Sequence, residues 1–185
     1  MPLLILHGLD GNEPGHWQTW LAETAGAGGI DVRYPDLPAA TTPSLDPWMD
    51  AVLPLLLEEE QTALDVVAHS LGCQLWAHVA TAMGHVVAGR VLLVAPPGTA
   101  QIEQQIPTFT PAPLGPDLLL ACPDTTVVTG EADPWLPDPA EVLASGLPVR
   151  LVPGGAHLNP EAGYGPWPEM MRWVYGGDAP GVPWT

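Results

Sequence analysis

Ser70 stands in the segment Ala68-His69-Ser70-Leu71-Gly72, between the strand-like run 63–67 and the helix-like run 71–83. A hydroxyl is a poor nucleophile at neutral pH. It gains reactivity from a base within hydrogen-bond reach, and that base needs a third group to steady it. A sharp turn between strand and helix, flanked by small residues, exposes a serine for this role. Gly72 supplies one small flank, and Ala68 takes the place of the first glycine of G-x-S-x-G. Ser44 and Ser145, the only other serines, have no such context.

Two later pieces, Glu131-Ala132-Asp133-Pro134 and Gly155-Ala156-His157, complete the order Ser…acid…His. Each falls where the chain leaves a predicted strand, so all three can meet at one end of a parallel sheet. His157 is the only histidine behind a suitable acid. For His7, His16, His69, His78 and His85 a structural role is expected. Asp133 is the expected acid, with Glu131 a close rival and Asp138 a more distant one, while Asp124 lies at the wrong end of its strand. An oxyanion hole would use the backbone N–H of Leu71, at the positive end of a helix, and that of Leu9, where Gly8 lets the backbone come close.

The elements that must position these residues alternate along the chain. Strands are predicted at 3–7, 31–34, 63–67, 90–94, 125–129 and 149–152. Helices are predicted at 14–25, 46–60, 71–83, 139–143 and about 168–175. This β-α-β-α rhythm predicts one α/β domain over residues 1–185, in three layers, with a mostly parallel sheet of about six strands. The near-continuous Val/Leu strands agree, because central parallel strands are buried on both faces. Residues 96–123 break the rhythm with Pro and Gly, carry weak helical pieces near 102–105 and 118–121, and are expected to narrow a pocket. The tail after Gly176 is expected to be loosely held.

Composition sets outer limits. The chain has 185 residues and a formal net charge of −17, with no lysine and four arginines. Such a surface repels nucleic-acid phosphates and anionic membranes, so neither is an expected partner. No apolar run approaches the roughly 20 residues needed to span a bilayer. A short apolar start without basic residues does not read as a signal peptide, and the expected location is cytoplasmic. Cys73 and Cys122 lack metal or redox spacing and read as core residues, a disulfide between them being the lesser alternative. No cofactor or metal is expected.

Beyond the elbow, the sequence resembles the YdeN-like small serine hydrolases, which include retinoblastoma-binding protein nine. The resemblance rests on His7-Gly8 with Gly15-His16-Trp17, on the Ser70 elbow, and on Asp133-Pro134-Trp135-Leu136-Pro137. Its most specific stretch is Gly155-Ala156-His157-Leu158-Asn159 continuing through Gly163-Tyr164-Gly165-Pro166-Trp167-Pro168. It implies a reduced α/β-hydrolase fold without the first two strands, a Ser70–Asp133–His157 triad, and His16-Trp17 in the first wall of the site. Ala68 for glycine and Ala132 where many members carry an acid are departures. Small esters, and amides, are the implied substrates.

His16, Trp17, Trp135, Asn159 and Tyr164 are the candidate pocket residues. For Trp135 and Tyr164, packing beside the loops is an equal alternative, and Trp17, on an amphipathic helix, reads more readily as core. The leading expectation is a serine hydrolase of the carboxylesterase type. A protein-binding module on a hydrolase scaffold, with little or no turnover, is the alternative.

Overall fold

The computed structural model describes residues 1–57, 64–110 and 114–184. Seven strands form one sheet: β1 (Leu3–Leu6), β2 (Val32–Arg33), β3 (Asp65–His69), β4 (Arg90–Val94), β5 (Thr125–Gly130), β6 (Val149–Val152) and β7 (Val182–Pro183). Their spatial order is β2-β1-β3-β4-β5-β6-β7. β1 to β6 run parallel, and β7 is antiparallel to β6. The helices are α1 (Trp17–Ala27), α2 (Leu45–Leu57), α3 (Leu71–Met83), α4 (Thr99–Gln105), α5 (Leu118–Ala121), α6 (Ala140–Ala144) and α7 (Pro168–Val174). Among the described residues no helix is long and apolar enough to cross a membrane.

Side chains alternate across a pleated strand, and that period of two divides the core. Leu4, Leu6, Val66, Ala68, Val91 and Leu93 pack on one face with Trp48 and Val52 of α2 and with Leu75 and Trp76 of α3. Leu3, Ile5, Val67, Leu92 and Val94 pack on the other with Trp17 and Leu21 of α1 and with Met170 and Trp173 of α7. Hence the strands read as continuous apolar runs: both faces are covered. The register pairs Leu6 with Ala68, His69 with Val94, and Gly130 with Val152. The carboxyl ends of the central strands are thereby level, and every loop that follows them opens on the same edge.

Six strands were expected, and the seventh lies in the tail predicted to be loose. Three contacts hold it there. The Arg150 guanidinium donates to the carbonyls of Pro180 and Gly181, and Trp184 N–H donates to Val149 O. Local composition conceals this strand because Pro183 and the flanking Gly181 read as breakers. The expected end of α2 at 58–60 and the start of the third strand at 63 lie outside the described residues. In the Pro-rich segment the weak helical pieces are α4 and α5, and Ile102, Phe109 and Leu118 are buried. Residues 111–113 of that segment lie outside the described set.

Candidate active site

The turn from β3 into α3 carries Ser70 at φ 52°, ψ −123°. A non-glycine residue held there costs about 1–3 kcal/mol, which the surrounding structure must impose. Ser70 N–H donates to Val94 O (2.9 Å), so the sheet ladder continues to the turn itself. Gly72 is required by crowding: a Cβ there would stand 2.5 Å from Leu6 O and 2.7 Å from His7 O. The first turn of α3 therefore rests directly on the end of β1. Ala68 faces the buried core of β3 and needs no such clearance.

His157 lies in the loop after β6 and Asp133 in the loop after β5. Ser70 Oγ is 2.9 Å from His157 Nε2. On the other side of the ring, Nδ1–H donates to both Asp133 carboxylate oxygens, at 2.9 Å each. Asp133 Oδ1 also accepts from Trp135 N–H (2.8 Å), which orients the carboxylate. All three side chains are buried. The rival acids are elsewhere: Glu131 accepts from Gly154 N–H, and Asp138 caps Ala140 N–H. A serine, an imidazole and a carboxylate joined in this way can pass a proton from the hydroxyl to the ring.

The loop after β1 completes the cup. A Cβ on Gly8 would lie 2.8 Å from Ser70 Cβ and 3.3 Å from its Oγ, so this backbone runs against the Ser70 side chain. His7 fixes the loop's orientation: Nδ1–H donates to Gly8 O (2.8 Å), while Nε2 accepts from Leu37 N–H (3.0 Å). In a planar trans peptide the C=O and N–H point opposite ways. With the Gly8 carbonyl turned to His7, the Leu9 N–H faces away from it. Leu9 and Leu71 both line the cavity beside Ser70. Leu71 begins α3, so its amide has no partner within the helix.

Two further histidines cluster with His157. His69 Nε2–H donates to the His157 carbonyl (3.0 Å), tying the β6 loop to β3. Its ring lies 5.1 Å from that of His157 and 4.8 Å from that of His16. Burial, the largest cause, pushes His69 well below the ordinary histidine range and lowers His7. His16 is lowered to about 4, again by burial first, and then by the neighbouring His157 and His7. Each of these side chains is thus a neutral hydrogen-bonding group at pH 7. Cys73, one turn beyond Ser70, is wholly buried and its thiol is pushed up by that burial, which removes it as a rival nucleophile.

The cavity above Ser70 measures about 300 Å³. Of the candidate pocket residues, His16, Trp135 and Asn159 line it, with Trp135 beside the His157 ring at 5.9 Å. Trp17 and Tyr164 are not among its lining residues. Trp17 is fully buried: its Nε1–H donates to Leu158 O (2.8 Å), and its ring meets Trp167 edge-on. Tyr164 packs on Trp167 at 4.8 Å. Both brace the loop carrying His157 from behind. Pro97, Ile102 and Ile106 line the opposite wall. They come from the Pro-rich segment whose composition marked it, although no single residue in it stood out. The expected narrowing of the pocket is its contribution.

The sequence matches the family model described as serine hydrolase over residues 3–175. The hydrolase YdeN of Bacillus subtilis strain 168 is 33% identical over 69 residues, a stretch covering 37% of this chain and 36% of that relative. The crystal structure of the B. subtilis ydeN gene product superposes with a TM-score of 0.76 at 18% identity, covering 94% of this chain and 96% of that one. A YdeN-like hydrolase from Pectobacterium atrosepticum gives 0.72 at 22%, covering 94% and 88%. At these identities the superpositions establish a shared α/β-hydrolase fold. The family match runs from the first residue of β1 to just past the end of α7, and on that ground the chain belongs to the serine hydrolase family.

Proposed function

We propose that this serine hydrolase cleaves small carboxylic esters, and amides, through an acyl-enzyme formed on Ser70. The observation that carries this reading is the unbroken series from Ser70 Oγ through the His157 ring to Asp133, each link at 2.9 Å. Ser70 Oγ attacks the carbonyl carbon as His157 Nε2 takes its proton. Asp133 holds Nδ1–H and stabilises the imidazolium. The negative oxygen of the tetrahedral intermediate accepts from Leu9 N–H and Leu71 N–H. Losing one such donor typically costs about 2.7–4 kcal/mol of transition-state stabilisation. Collapse breaks the bond to the alcohol, which leaves with the proton from His157. Water then repeats the sequence, giving its proton to His157, and the acid departs as Ser70 recovers its hydrogen.

The small cavity, at the lower end of the roughly 300–1,000 Å³ range of ligand pockets, suits short acyl or alcohol groups. A cytoplasmic location belongs to the same reading, since both cysteines are free thiols. A fluorophosphonate probe should label the protein at Ser70, and Ser70→Ala should abolish both labelling and turnover of p-nitrophenyl acetate and butyrate. Labelling that survives in Ser70→Ala would overturn the assignment. So would faster cleavage of long, water-insoluble esters than of short ones, for the size of the pocket.

A further inference from the structure

At the start of α1, two buried polar side chains face the cavity with one atom each left over. His16 is the N-cap of the helix, and its Nδ1 accepts from Gln18 N–H (3.1 Å). A neutral imidazole that accepts at Nδ1 must carry its proton at Nε2, so the edge turned from the helix is a donor. Gln18 lies within the first turn, and its Nε2 donates to Leu6 O (2.9 Å), leaving Oε1 as an acceptor. Among the described residues neither His16 Nε2 nor Gln18 Oε1 has a protein partner. His16 is 7% exposed and Gln18 1%, yet both line the cavity that contains Ser70 and His157. Neither atom is sealed in the core; each remains accessible at the cavity, so a bound group can reach it. The remaining atoms are one donor, at the N-cap, and one acceptor, two residues later in the same helix start.

Building on the ester-hydrolase reading above, we propose that His16 and Gln18 form a subsite for a hydroxyl group, so that the preferred substrates are small neutral hydroxy-substituted esters. A hydroxyl is the simplest group that accepts from His16 Nε2–H and donates to Gln18 Oε1 at once. An ether oxygen satisfies only His16, and a methyl group satisfies neither. Burial keeps His16 uncharged down to about pH 4, so the donor persists without becoming a cation. The rest of the lining points to a neutral ligand. Asp10, Glu13 and Glu161 stand in the walls, and among the described residues no arginine does, so a carboxylate or phosphate on the substrate would meet repulsion.

The two sides of the ester bond are tested with matched pairs, in which hydroxyl replaces methyl at nearly constant volume. Methyl 3-hydroxybutanoate is compared with methyl 3-methylbutanoate, and 3-hydroxypropyl acetate with butyl acetate, each followed by acid release at constant pH. At least one pair should favour the hydroxy ester about tenfold or more in kcat/KM, since a site built for a hydroxyl rejects the analogue without it. Methylating that hydroxyl should reduce the preference. In His16→Thr, which keeps a capping oxygen but removes the donor, the ratio should fall towards one, and Gln18→Leu should lower it as an independent variant. Ratios within twofold in both wild-type pairs overturn the subsite while leaving the esterase reading intact. No Ser70-dependent turnover of any of the four esters overturns the esterase reading, and the subsite with it.

Discussion

Acidification should weaken this fold through its buried histidines, and His16 allows the effect to be sized. Unfolded, a histidine titrates near about 6.5; in the fold His16 titrates at about 4. Between these values the unfolded chain binds the proton and the folded chain does not, so stability falls as pH falls. The contribution is complete above about pH 6.5, declines below it, and stops changing once pH is under about 4. From pH 7 to pH 5 the loss from this one residue is about 2 kcal/mol, because each tenfold difference in proton affinity between the two states corresponds to about 1.36 kcal/mol. His7 and His69 are displaced in the same direction and add to it. An opposing effect is the easing of repulsion within a chain of net charge −17. His16→Asn separates the two, because asparagine retains an N-cap acceptor but does not titrate. Urea unfolding of both proteins at pH 7 and pH 5 should show the stability difference moving by about 2 kcal/mol in favour of the variant. A difference that stays constant within about 0.5 kcal/mol would refute the claim that His16 is held neutral by burial.

Three substitutions probe other parts of the molecule. In Asp133→Asn the side-chain oxygen can still accept from Trp135 N–H, which turns the amide NH₂ towards His157 Nδ1. The ring must then carry its proton on Nε2 and cannot take one from Ser70, so kcat should fall about 10⁴-fold, and a loss below tenfold would exclude Asp133 as the orienting acid. Gly8→Ala places a methyl 2.8 Å from Ser70 Cβ and 3.3 Å from its Oγ. A displacement of Ser70 Oγ approaching about 1 Å should lower kcat/KM on p-nitrophenyl butyrate by about 10²-fold, and an unchanged value would contradict the crowding. Arg90→Met leaves Asp65, 3% exposed, without the guanidinium that pairs with it and stacks 4.5 Å from the Trp173 ring. Urea unfolding should register a loss of about 3–5 kcal/mol, whereas less than 1 kcal/mol would show the pair to be well solvated.

Local chemistry made much of this protein legible from its sequence. Buried parallel strands must be apolar throughout, so β4 and β6 could be read to the residue. A nucleophile turn demands small neighbours between a strand and a helix, and that marked Ser70. Chain order then singled out His157, and the resemblance carried by Gly155 through Trp167 agreed with it. What local pattern could not supply was distance. Glu131, Asp133 and Asp138 are equally acidic in sequence, and only the loop after β5 decides which carboxylate lies 2.9 Å from the imidazole. Trp17 and Tyr164 are adjacent to the motifs in sequence but turn away from the cavity, because both pack on Trp167 in the core beside α1 and α7. The tail looked loose for a related reason: β7 is held by an arginine 30 residues away, which no window of sequence contains. His16 and Gln18 show the same division. Their types were plain from the start, but which of their atoms remain unmet follows only from the helix cap, the end of β1 and the cavity meeting at one place.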